Sequence, residues 1–191
     1  MNAVPPAETS TREKIIEAAA SLIPDVGWGG VTSRRVAERA GVSTGVIHYH
    51  VGSIDELRRI AAVGKIRMFF LDRINGALSP QDPAVAVELI VRSLCTGDAH
   101  EPELLLLYES LVAANRDEQL RSDIAASLSQ LRQRLHDWFA EQGVAHPLAA
   151  AVTLTAAIDG FLLQRTLDPD LDPAPLIEGL TTLVKRQPGH S

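Results

Sequence analysis

Apolar positions recur along this chain at intervals of three and four, and Gly, Pro and hydroxyl residues punctuate them into helical segments. Ser10-Thr11-Arg12-Glu13 is a capping box. It opens a helix with Ile15, Ile16, Ala19, Leu22 and Ile23 on one side, ended by the stretch from Asp25 to Gly30, where Trp28 is expected to plug the space beneath the following helices. Thr32 caps a second, short helix whose Val36, Ala37 and Ala40 share a face, and Gly41 stops it. Ser43 caps a third, in which Val46 and Ile47 turn inward. A second capping box, Ser53-Ile54-Asp55-Glu56, starts a long helix reaching Asn75 or Gly76, its buried side running from Leu57 through Ile66, Phe69 and Phe70 to Ile74.

Beyond that point proline marks the starts, since its missing N–H costs nothing in a first helical turn. Pro83 opens a helix to about Thr96, Pro102 one to Asn115, and Pro147 one ending near Leu167, while a last one follows Pro173. Between them, from about Asp117 to Gln142, runs a long amphipathic helix. No segment sustains period-two alternation, so the pattern predicts an all-α protein of about nine helices. It divides into an N-terminal three-helix head over residues 10–52 and a helical body over 53–191, after a tail of residues 1–9 rich in Pro and Ala and expected to be disordered.

Ala37 where two helices cross, Gly41 in the turn and Ile47 closing the pair form a helix-turn-helix spacing. A helix held proud of its support fits the major groove, where its N-terminal residues reach base edges. Here that helix is Ser43 to His50, and its outward residues are Thr44, Gly45, His48, Tyr49 and His50. None is Lys or Arg, so positive charge must come from Arg34, Arg35 and Arg39 before it and Arg58 and Arg59 after it. The Thr32 hydroxyl suits a helix cap and also a phosphate contact, because a helix N-terminus favours an anion. Imidazoles change charge between pH 5 and 8, so DNA binding that tightens as pH falls through this window is expected.

The formal net charge of −6 speaks against a nucleic-acid partner until its distribution is seen. Residues 1–59 carry seven Lys/Arg and seven Asp/Glu, whereas residues 60–191 carry eleven and seventeen, so the excess negative charge lies beyond the head. The single Cys95 excludes an internal disulfide and no zinc-type cysteine spacing occurs, which makes a reducing cytoplasm the expected location. No stretch approaches eighteen uncharged apolar residues, and no membrane partner is expected.

The segments TREKIIEAA and GWGGVTSRRVAERAGVSTGVIHYHVGSIDEL, followed by a helical body with AAIDGFLLQRTLDPDLDP near its end, resemble the TetR family of bacterial transcriptional regulators. The resemblance implies a homodimer that binds double-stranded DNA, with a body that holds a small-molecule effector. It places the reading helix on Ser43, Thr44, Gly45, His48, Tyr49 and His50 and a phosphate-facing cap on Thr32, to which the charge reading adds Arg34 and Arg35 as candidate DNA contacts. The chain has Thr44, His48, Val51 and Ile54 where the family commonly has Lys, Tyr, Phe and Lys, and two of these changes remove cations that would face phosphate. Candidate pocket residues are Phe69, Leu94, Tyr108, Leu111, Trp138 and Phe161, with Gln164, Asp159, Asn75 and His100 as polar anchors. The helix from Pro147 is rich in Ala and Gly, which permits close helix approach. With the helix from Pro173 it is expected to form a four-helix dimer interface through Ala150, Leu154, Ala157, Phe161, Leu176 and Leu180. No cofactor, metal site or catalytic constellation is expected. The predicted function is a ligand-responsive repressor reading a palindromic operator; the alternative is a helical small-molecule-binding or interaction module with weakened DNA affinity.

Overall fold

A computed structural model describes residues 10–79 and 81–184; the expected tail at residues 1–9 lies outside them. Among the described residues there are nine α-helices, one 3₁₀ turn and no β-strand, as the pattern predicts. The helices are α1 (Thr11–Val26), α2 (Ser33–Ala40), α3 (Thr44–Val51), α4 (Ile54–Ala77), α5 (Pro83–Cys95), α6 (Pro102–Ala114), α7 (Glu118–Glu141), α8 (Pro147–Arg165) and α9 (Ala174–Leu183). They gather into two compact units. One takes the described residues up to Ile66 together with Leu105–Arg121, and the other takes Arg67–Leu104 and the described residues from Ser122 on.

In the first unit α1, α2 and α3 pack pairwise. Ile15, Ile23, Val36 and Ile47 are fully buried there. The capping box of α1 is complete, Glu13 N–H donating to Ser10 Oγ and Ser10 N–H to Glu13 Oε2. Thr32 Oγ1 accepts from Arg35 N–H at 3.3 Å and so caps α2. Gly41 then takes the left-handed conformation (φ 67, ψ 34) that lets the chain reverse into α3. The N–H of Val42 reaches back to Ala37 O, closing the last carbonyls of α2. Ser43 holds the N-cap position of α3 by its backbone alone, since its hydroxyl makes no capping bond. Ser53 Oγ accepts from Glu56 N–H and starts α4, which continues unbroken for 24 residues.

In the second unit α5 packs on both α8 and α9. Val87, Ile90, Val91, Leu154 and Leu162 form its core, with Leu135 and Phe139 of α7 fully buried. α6 buries Leu104, Leu106 and Ser110, while Val112 and the expected pocket residue Leu111 are exposed. Four successive leucines carry no periodicity, so the sequence could not choose between faces. α8 reaches a mean hydropathy of 1.4 over an 18-residue window and is the one described helix long and apolar enough to cross a membrane. The sequence reading finds no such run because Asp159 interrupts it. The apolarity has a simpler origin in two apolar faces. One is buried through Ala150, Ala151, Leu154, Ile158, Phe161 and Leu162, and the other exposes Leu148, Val152 and Leu163.

Candidate functional site

The helix-turn-helix presents α3 with one side anchored and the other free. Ile47 and Val51 are buried, and Thr44, Gly45, His48 and Tyr49 are exposed, Tyr49 at 86%. His50 is half-buried, its ring meeting Tyr49 edge-on at 5.1 Å between centroids. His48 Nδ1 lies 2.8 Å from Gly52 O. A carbonyl only accepts, so Nδ1 carries the hydrogen and a neutral His48 keeps Nε2 as its acceptor. Gly52 has φ 73 and ψ −104, a conformation open to glycine, which lets its carbonyl turn back to His48 at the end of α3.

The arginines of the head divide by their partners. Arg34 Nε bonds Glu38 at 3.0 Å, and Arg39 bonds Asp25 at 2.8 Å and Ser21 Oγ. Arg35, exposed, donates to Gly30 O at 2.9 Å. Arg58 was expected to supply charge toward DNA, but its side chain is only 14% exposed. It bonds Asp55 at 2.6 Å, donates to Trp28 O and lies 5.9 Å from the Trp28 ring centroid. Its charge is spent inside the head. Trp28 is itself half-buried, its backbone N–H donating to Glu109 Oε2 of α6 at 2.9 Å. Neither Arg58 nor Glu109 was singled out from the sequence as structural, and the 81-residue separation of the Glu109–Trp28 pair leaves no local signal.

In the second unit a small cavity is lined by Phe70 and Ile74 of α4, Leu94 of α5, Leu128 and Leu131 of α7, and Thr155, Ile158 and Asp159 of α8. Its atom-free space, open mouth included, is about 300 Å³. Of the expected pocket residues only Leu94, with the proposed anchor Asp159, lines it. Phe69 is buried under the Arg73 guanidinium, 3.7 Å from its ring centroid, and Arg73 pairs with Glu101 at 3.1 Å. Phe161 is buried in the α8 core face, Trp138 is half-buried and Gln164 is exposed. Leu111 is exposed, and it and Tyr108 belong to the other compact unit. Asn75 is occupied by Arg134 Nε at 2.7 Å, and His100 is exposed. Leu128, Leu131 and Ile158 were missed as pocket residues because periodicity identifies an inward face without telling core from cavity wall.

The expected interface set needs a similar correction. Ala150, Leu154, Phe161 and Leu180 are buried within the protomer itself, and Ala157 and Leu176 are half-buried. They hold α8 and α9 against their own unit. Arg165, on the same buried face, donates to Gly97 O at 2.8 Å beyond the C-terminal end of α5, where a cation is favoured. Its spacing of three and four from Leu162 and Phe161 was the available signal. Burial pushes the neighbouring Cys95 thiol up to about 12, against the opposing charge of Arg165. Among the described residues no three His, Cys, Asp or Glu side chains cluster as a metal site would require.

A three-helix head that exposes one short helix, joined to a helical body with a small apolar cavity, defines the class of helix-turn-helix regulatory proteins. The family model for bacterial regulatory proteins of the tetR family matches residues 15–59, and that for the tetracyclin repressor-like C-terminal domain matches residues 79–186. The chain belongs to the TetR family. An uncharacterised HTH-type transcriptional regulator of Mycobacterium bovis is 28% identical over 130 residues, 66% of this chain and 65% of the relative, so just under two thirds of that relative's length is spanned. Among solved structures, a transcriptional regulator from Rhodococcus sp. matches with TM-score 0.75 and 25% identity over 92% of this chain and 94% of that one. The multidrug binding protein EbrR, complexed with imidazole, matches with TM-score 0.72 and 26% identity over 98% and 100%.

Proposed function

We propose that the chain is a ligand-responsive repressor that reads a palindromic operator as a homodimer and is released by a small-molecule effector. The observation that carries this reading is α3: a helix fixed by Ile47 and Val51 on one side and bare at Thr44, Gly45, His48 and Tyr49 on the other. Over residues 10–52, Thr44, Gly45, His48, Tyr49 and His50 read base edges, while Thr32, Arg34, Arg35 and Ser43 hold phosphates. Arg35 is the most available of the helix-two cations, because Arg34 and Arg39 already face carboxylates. A protein acting on chromosomal DNA works in the cytoplasm.

Dimerisation brings two heads about one helical turn, roughly 34 Å, apart on DNA. We assign it to the exposed face of α8, where Leu148, Val152 and Leu163 stand open with the small residues Ala149 and Ala156 between them. This replaces the inward set expected from sequence. The body from residue 53 onward holds the effector. Phe70 and Ile74, which line the cavity, sit on the same unbroken helix that begins beside Gly52. An effector that favours the conformer with badly spaced heads then weakens DNA binding by linkage, in proportion to its preference between the two conformers. That a structural neighbour is a multidrug binding protein supports an effector site in the body.

Fluorescence anisotropy with duplexes from the gene's own upstream region, at two salt concentrations, tests the proposal. Saturable binding that weakens steeply with salt supports it. No binding at low salt favours the alternative of a helical binding module, to which the ion-paired arginines already lend weight.

A further inference from the structure

The cavity of the second unit has a one-sided chemistry. Six of its eight lining residues, Phe70, Ile74, Leu94, Leu128, Leu131 and Ile158, have hydrocarbon side chains. The other two are Thr155 and Asp159, one helical turn apart on α8. The Thr155 hydroxyl hydrogen is committed to its own helix, at 3.0 Å from both Ala151 O and Val152 O, so toward the cavity it offers only lone pairs. Asp159 makes no hydrogen bond or ion pair with a described residue, and an ionised carboxylate only accepts. The lining therefore presents acceptors and no side-chain donor. A carboxylate or phosphate ligand meets repulsion here, and a neutral acceptor finds no partner.

We propose that the effector is a compact organic cation, an ammonium, amidinium or imidazolium group on a small alkyl or aryl body, with its N–H or cationic face on Asp159 and its hydrocarbon among Phe70, Leu94 and Leu131. This rests on the effector reading above and specifies its ligand class. The space is small, about 300 Å³ only when the open mouth is counted, so a bulky ligand is excluded and much of a small one stays at the mouth. Asp159 lines the cavity from an exposed position on α8, and partial burial of its carboxyl raises it above the ordinary range, opposed by Arg132, which acts from beyond ion-pair distance. A cation delivered to that carboxylate relieves the penalty. Asp159 also stands on the open strip of α8 between Val152 and Leu163, so in the proposed dimer the bound cation sits beside the subunit boundary.

Three probes of equal shape separate the possibilities: benzylammonium, benzyl alcohol and benzoate, each titrated calorimetrically into the full-length chain and into Asp159→Asn. The variant keeps the shape of a side chain that has no partner to lose, and a melting curve matching the parent's verifies its fold. Benzylammonium is expected to bind at least tenfold more tightly than benzyl alcohol, benzoate not at all, and Asp159→Asn to remove the preference, a loss of about tenfold to a hundredfold for a charge-assisted contact. Equal binding of the alcohol, binding of benzoate, or an unchanged preference in Asp159→Asn overturns the cation assignment and leaves the effector reading intact. If no probe binds, the cation assignment falls as well; release of operator DNA by a small-molecule cell extract then judges the effector reading on its own.

Discussion

Ile47 and Tyr49 lie two positions apart on α3 and face opposite ways, one fully buried and the other 86% exposed. Truncating Ile47 to Ala leaves a cavity among α1, α2 and α3 and is expected to cost about 2–5 kcal/mol, read as a lower denaturant midpoint. Tyr49→Ala removes nothing that holds the head together and should leave stability within about 0.5 kcal/mol. In an operator-binding assay the order reverses in meaning: Tyr49→Ala weakens binding in a fully folded protein. A Tyr49→Ala variant that unfolds early, or binds DNA as the parent does, contradicts the assignment. Cys95 offers a second check at this scale. Its buried thiol, raised to about 12, should resist iodoacetamide at pH 8 in the folded protein and react when denatured, because the thiolate is the reactive form. At residue level the turn of the head was legible, since Gly41, Ala37 and Ile47 act through local backbone geometry. The contacts of Trp28 with Arg58 and Glu109 were not, being set by segments distant in the chain.

Among elements, α8 shows most clearly what periodicity leaves open. Both of its faces are apolar, so the pattern marks a helix without telling which face meets its own chain and which a second copy. The contacts with α5 and α9 assign Leu154 and Phe161 inward and leave Val152 and Leu163 open. The double variant Val152→Asp, Leu163→Asp is therefore expected to shift the proposed dimer to monomer in sedimentation equilibrium with its helical circular dichroism retained, since like charges facing each other across a twofold axis repel. A dimer that survives it places the interface elsewhere. Leu154→Asp, by contrast, buries a charge in the protomer core and should unfold the second unit rather than merely dissociate it. α6 is the companion case. Its leucine run supplied length and helical character but no phase, and Leu111 turned out exposed.

At the scale of the whole molecule, the charge division holds the account together: residues 1–59, which include the head, balance at seven against seven, and the rest of the chain carries the net −6. Most of the head's arginines are already engaged with its own carboxylates and carbonyls, so few are left for phosphate. The salt dependence of binding should then be governed by a small number of contacts. Arg35→Ala is expected to weaken binding uniformly across duplex sequences and to lower the salt slope by about 1. The nine helices and the helix-turn-helix were readable from sequence because capping and period act locally. The cavity and the outer face of α8 were not, because both depend on how separate helices meet. The most direct measurement is a hydroxyl-radical footprint on the gene's upstream DNA, run with the parent protein and with Tyr49→Ala. Two protected segments centred about one helical turn apart with the parent, and none with the variant, are the predicted result. Uniform protection, or a footprint unchanged by Tyr49→Ala, contradicts reading of DNA by α3.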